Sequence, residues 1–154
     1  MILTNDFLFV QRFYKYKFTI DGFSSSISCR TYKFISECPQ AGSLEVDFFS
    51  HCMLSNEHYY IHPPPRLLVR LINKLILYPN VRGCIVLPLW RSHSFWNSII
   101  KVDKFAWFVE DFMIFSPFYE SFSNKTAFQG YKNFKTLVIK FNTSVRNCIK
   151  FTEF

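Results

Sequence analysis

Three consecutive prolines, Pro63, Pro64 and Pro65, stand between an apolar run and an amphipathic one, and they constrain this chain's fold more than any other stretch. Before them, His58-Tyr59-Tyr60-Ile61 has the aromatic and β-branched character of a strand. Proline locks φ and has no amide proton, so neither strand nor helix continues through three of them. Pro65 does suit the first position of a helix, and a helical pattern follows. Leu67, Leu68, Leu71, Ile72 and Leu75 share one face, with Arg66, Arg70, Asn73 and Lys74 largely opposite. Pro79-Asn80 ends that helix. Gly83-Cys84-Ile85-Val86-Leu87 is then a continuous apolar run, the pattern of a strand buried on both faces. Strand, helix and buried strand in this order predict a parallel α/β sheet.

The flanking segments fit the same scheme. Residues 6–16 carry Phe7, Leu8, Phe9, Val10, Phe13 and Tyr14 and read as an amphipathic helix, with Asn5 or Asp6 as N-cap. Residues 18–23 read as a short strand that stops at the Asp21-Gly22 turn, before a serine-rich stretch. Residues 30–34 are a second strand candidate, residues 45–49 a strand end, and residues 94–100 a short helix. The pattern then changes: residues 106–115 and 136–141 are strand-like, separated by a polar loop over 121–133. These strands predict an antiparallel addition at the sheet's edge. We expect a single domain over residues 1–154, with a core at about 5–104 and a C-terminal strand extension at about 105–154.

Hydrophobic residues make up 49% of the 154 and charged residues 19%, which excludes global disorder. The five cysteines form no C-x-x-C pair, and His58 and His62 stand next to helix-breaking prolines, so no metal site is expected. The opening residues lack a basic region and a cleavage site, and the cysteines read as free thiols. Both point to an intracellular location, cytoplasmic or nuclear. No apolar run approaches the roughly 20 residues needed to cross a bilayer. The net charge of +7 favours nucleic acid as a partner, although the cations are scattered apart from a loose cluster at Arg12, Lys15 and Lys17.

Two segments together carry a resemblance: Thr19-Ile20-Asp21-Gly22-Phe23-Ser24-Ser25, and Tyr59-Tyr60-Ile61-His62-Pro63-Pro64-Pro65 with its helix. The pair resembles phage-type Dam methyltransferases, in which a D-x-F/C-A-S-like turn ends the first strand and an N/D-P-P-Y/F motif ends the fourth. Phe34 to Pro39 and Val46-Asp47-Phe48-Phe49 resemble that family's intervening stretch. The run from Arg82 through Trp90 and Arg91 to Trp96 resembles the K-x-x-G-T-L-I-V-P-x-W-P-S-x-x-F-W signature of DIRS-type retrotransposons. The run from Gly130 to Leu137 resembles their downstream G-x-x-N-F-K/R-T-L. The chain is thus similar to the Dam-like (DNA N6-adenine methyltransferase-like) module of DIRS-type polyproteins over roughly residues 5 to 141.

That resemblance implies a methyltransferase-like Rossmann arrangement and, in an active enzyme, S-adenosylmethionine as cofactor. Asp21, Gly22, Phe23, Ser24 and Asp47 would bind it. Asp21 would accept from its ammonium group, and Asp47 would bond the adenine amine. Asp21 reads equally as a turn-forming residue before glycine, and Asp47 as a strand-end carboxylate. The catalytic motif would be His62-Pro63-Pro64-Pro65, and it is degenerate. An amide or carboxylate acceptor is replaced by imidazole, and proline cannot supply the ring that stacks on a flipped base. A rigid strand-to-helix connection is the other reading. Arg66, Arg70, Arg82, Trp90 and Arg91 are the candidate contacts to nucleic acid, either DNA or an RNA–DNA hybrid. Trp90 with Phe95 and Trp96 also reads as a lid on the core. The expected function is a catalytically inactive, nucleic-acid-associated module working beside other domains of a polyprotein. An active adenine methyltransferase and a structural spacer between RNase H and recombinase domains are the alternatives.

Overall fold

The computed structural model describes residues 5–15, 17–115 and 134–153. In chain order its elements are α1 (Asn5–Tyr14), β1 (Ile20–Asp21), β2 (Lys33–Ser36), β3 (Glu45–Val46), β4 (His58–Ile61), α2 (Leu68–Leu75), β5 (Arg82–Pro88), α3 (Trp96–Ile99), β6 (Ile100–Lys101), β7 (Lys104–Phe105), β8 (Val109–Phe115) and β9 (Thr136–Asn142). Short 3-10 turns occupy Phe48–Ser50 and Pro65–Leu67. Seven strands form one sheet in the order β3-β2-β1-β4-β5-β9-β8, and β6 and β7 make a separate hairpin. The pairs from β3 to β5 are parallel, and β9 runs antiparallel to both β5 and β8. This is the mostly parallel α/β sheet with an antiparallel addition from the C-terminal third that the sequence predicts.

Strand periodicity sorts the core into two layers. On one face Tyr60, Cys84, Val86 and Val138 pack against Phe7 and Val10 of α1. On the other, Tyr59, Ile61, Ile85, Leu87 and Ile139 pack against Leu68, Leu71 and Leu75 of α2 and Ile99 of α3. With both faces covered, β5 is buried from Gly83 onward, which is why it reads as an unbroken apolar run. Leu68, Leu71 and Leu75 are fully buried, and each contributes about 2 kcal/mol of transfer free energy. Gly83 is required by register: a Cβ there would collide with the Tyr59 carbonyl oxygen of β4. Phe105, Phe108 and Phe151 join the same core as Ile20 and Ile61, so the C-terminal third shares the core of the rest.

Several expectations are corrected. The second strand lies at Lys33–Ser36 rather than 30–34, because Arg30 is drawn back to Asp21, which accepts its backbone N–H at 3.1 Å and pairs with its guanidinium at 3.9 Å. The 45–49 strand end is a two-residue strand followed by the turn Phe48–Ser50, which the Asp47 carboxylate caps by accepting from Phe49 N–H at 3.1 Å. The short helix is limited to Trp96–Ile99, and the β6–β7 hairpin follows it unannounced. The loop over 121–133, with Gly130 to Asn133 of the downstream motif, lies outside the described residues. No helix among the described residues is long and apolar enough to cross a membrane.

Candidate functional site

The sheet's order reverses at β1. The chain moves outward from β1 through β2 to β3, then returns to place β4 on β1's other side. Loops leaving β1 and β4 therefore diverge, and in open α/β sheets ligands bind in the crevice so formed at the strands' carboxyl ends. Here that crevice is a cavity of about 670 Å³. Its walls are the serine-rich loop after β1, residues 36–40 after β2, residues 47–49 after β3, and residues 62–67 after β4, with Arg70 from α2.

Most of the sequence-derived residues meet there. Gly22, Phe23, Ser24, Asp47, His62, Pro63, Pro64, Pro65, Arg66 and Arg70 all line the cavity. Pro64 is extended at φ −56° and ψ 137°, and Pro65 opens the turn into α2, so the prolines aim His62 at the cavity and start the helix at once. His62 is held neutral: burial, then the nearby Arg30 guanidinium, push its pKa down to about 3. It presents an imidazole that can accept a hydrogen bond and does not carry charge near neutral pH.

The smallness of Gly22 serves packing. A Cβ there would stand 3.0 Å from the Phe48 ring, so this residue must be small for Phe48 to pack against β1. The Phe23 ring lies 4.9 Å from that of Phe48 and 6.0 Å from that of Phe49, centroid to centroid, forming an aromatic wall. Asp21 does not face the cavity. It is fully buried on the α1 side of the sheet, where it accepts from the backbone of Phe23 and Arg30. Burial raises its pKa, and the Arg30 charge opposes that rise. Its position matches the turn-forming reading. Asp47 does face the cavity, with a backbone at φ 69°, a region sparsely populated by non-glycine residues. Its second carboxylate oxygen accepts from Ser50 Oγ at 3.2 Å.

Three of the proposed nucleic-acid contacts lie elsewhere. Arg82 opens β5 and so stands at the strands' amino ends, across the sheet from the cavity. Arg91 is paired with Glu153 and lies over the Phe151 ring. Trp90 packs between His93 and Phe134. Arg66 and Arg70 are exposed at the cavity rim, and the Arg70 guanidinium stacks 3.9 Å above the Phe49 ring.

Sequence reasoning missed Glu37. It follows the last residue of β2 and lines the cavity, where an exposed carboxylate can take the two hydroxyls of a ribose. A strand placed at 33–36 would have revealed it. The cavity is thus polarised, with Glu37 and Asp47 contributed by the loops after β2 and β3, and Arg66 and Arg70 by the segment after β4. No helix lies between β1 and β2, so the cavity wall there is the serine-rich loop. No family model matches the chain, and no curated protein matches it.

Proposed function

We propose that the chain is a methyltransferase-like module of the Dam-like kind carried by DIRS-type polyproteins. In this reading its cavity takes an S-adenosylmethionine-class ligand, and methyl transfer to a base is lost. The carrying observation is that the two resembling segments, residues 22–25 and 62–65, wall one cavity at the sheet's reversal point. The order 3-2-1-4-5 of the first five strands agrees with a Rossmann arrangement.

In this reading Glu37 takes the ribose hydroxyls and Asp47 the adenine amine, with Phe49 and Arg70 as the wall beside the ring. Bound there, S-adenosylmethionine would supply an electrophilic methyl group. The chain's own residues supply little for a target base. Neutral His62 offers one acceptor nitrogen where an amide or carboxylate is needed, and Pro65 offers no ring to stack on. Arg66 and Arg70 are placed to meet a nucleic-acid phosphate at the rim.

Isothermal titration with S-adenosylhomocysteine tests the ligand, and a radiolabelled methyl-transfer assay on adenine-containing DNA tests the chemistry. We expect saturable one-to-one binding, weakened at least tenfold by Glu37→Ala, and no transfer above background. Absence of binding overturns the cavity assignment. Transfer that His62→Ala abolishes restores the active-enzyme reading.

A further inference from the structure

The end of the sheet opposite the cavity carries cations that nothing else in the fold uses. Arg12, Lys15 and Lys17 come from the end of α1 and its link to β1, and Arg82 opens β5. All four are exposed, and none is in an ion pair among the described residues. The topology brings them together. Thr19, just past Lys17, accepts from the His58 N–H at 2.8 Å, and His58 is the register partner of Arg82. Lys140 Nζ lies 5.1 Å from the centre of the Tyr14 ring, tying the end of α1 to the same edge. Nearby carboxylates are engaged: Glu57 with Lys33, Glu110 with Lys140, and Asp111 with the Phe112 N–H at 2.8 Å.

Leading away from these cations, α1 presents two rings to solvent, Phe13 nearer them and Phe9 edge-on to Phe115 at 5.9 Å toward the strands' carboxyl ends. Phe9 and Phe13 are 41% and 54% exposed, with centroids 6.1 Å apart and planes 23° from parallel. Phe13 in turn meets Tyr14 at 5.2 Å, which joins the rings to the basic edge. Phe7 and Val10 anchor the opposite side of α1 in the core, so the helix cannot roll to bury Phe9 and Phe13.

We infer that this face binds single-stranded nucleic acid, with phosphates on Arg12, Lys15, Lys17 and Arg82 and bases stacked on Phe9 and Phe13. Cations beside exposed rings are what a single strand needs, because its phosphates and base faces are both accessible. A duplex hides its base faces. An anionic membrane needs a helix with a broad free apolar face, and α1 commits Phe7 and Val10 to the core and leaves only Phe9 and Phe13 as large exposed apolar side chains. The inference stands on elements other than the cavity's and does not depend on what the cavity holds.

Fluorescence anisotropy of labelled oligothymidylate against the whole chain tests it. We expect log K to fall with log salt at a slope of about −3, and a matched duplex to bind more weakly. Lys17→Glu with Arg82→Glu should weaken binding more than tenfold, and Phe13→Ala about tenfold. Arg66→Glu with Arg70→Glu, at the cavity rim, should weaken binding less than the Lys17 and Arg82 pair does. If the double charge reversal lowers the melting temperature, Lys17→Gln with Arg82→Gln gives the same reading in a folded chain. Absence of binding, a salt-independent affinity, loss confined to the Arg66 and Arg70 variants, or displacement of the strand by phosphatidylserine vesicles would each overturn it.

Discussion

Asp21 and His62 flank the same guanidinium, and their chemistry is opposed. Asp21 is a buried carboxylate held by Arg30 and two backbone donors, so removing it takes the shared acceptor from all three. Asp21→Ala should therefore destabilise the fold by about 3 kcal/mol, and Asp21→Asn by clearly less, read from urea midpoints. Asp21→Ala is for that reason a poor probe of ligand binding, and Glu37→Ala, at an exposed position, is a good one. His62 is neutral by burial, and His51 and His58 are also held below their ordinary range, with burial the first cause in each. The unfolded chain takes up these protons first. Their contribution to stability is thus complete above about pH 6.5 and is lost as pH falls toward the folded values. Asp21 acts with the opposite sign, gaining stability on protonation above its ordinary 3.8. We expect the urea midpoint to fall between about pH 7 and pH 5, and His62→Gln to flatten that fall.

Among the strands and turns, backbone geometry has measurable consequences at two positions. Val102, in the β6–β7 turn, has φ 62° and a fully exposed side chain, a poor place for a β-branched residue. Val102→Gly should raise stability by about 1 kcal/mol. Gly83→Ala should cost several times that, because β4 and β5 must part to admit a methyl group; a melting-temperature series on the two variants checks both signs. The same positions explain what the sequence made legible. α2 and β5 were readable because local signals agree: three prolines, a one-sided apolar helix, then an unbroken apolar strand. β2 was misplaced because Arg30 answers to Asp21, nine residues away, rather than to its neighbours. That shift concealed Glu37. The β6–β7 hairpin was missed because Val102 is not a residue that announces a tight turn. Asp47 and the prolines were found at the site, whereas the space above Gly22 goes to Phe48, a contact that only the fold reveals.

For the whole molecule, the sheet separates two ends of different chemistry. The carboxyl ends hold a cavity with carboxylates, guanidinium groups and an aromatic wall, and the amino ends hold exposed cations from which the exposed rings of α1 lead back along the sheet. The two ligands we propose, an adenosyl compound at one end and a nucleic-acid strand at the other, would not compete for residues. Our proposal that the cavity accepts an adenosyl ligand is tested by a thermal-shift titration of the intact chain with S-adenosylmethionine and S-adenosylhomocysteine. A ligand specific for the folded state adds about 2.7 kcal/mol at one hundred times its dissociation constant. We expect a saturable rise in melting temperature with both ligands, lost in Glu37→Ala. A cooperative melt that neither ligand moves at millimolar concentration would contradict it.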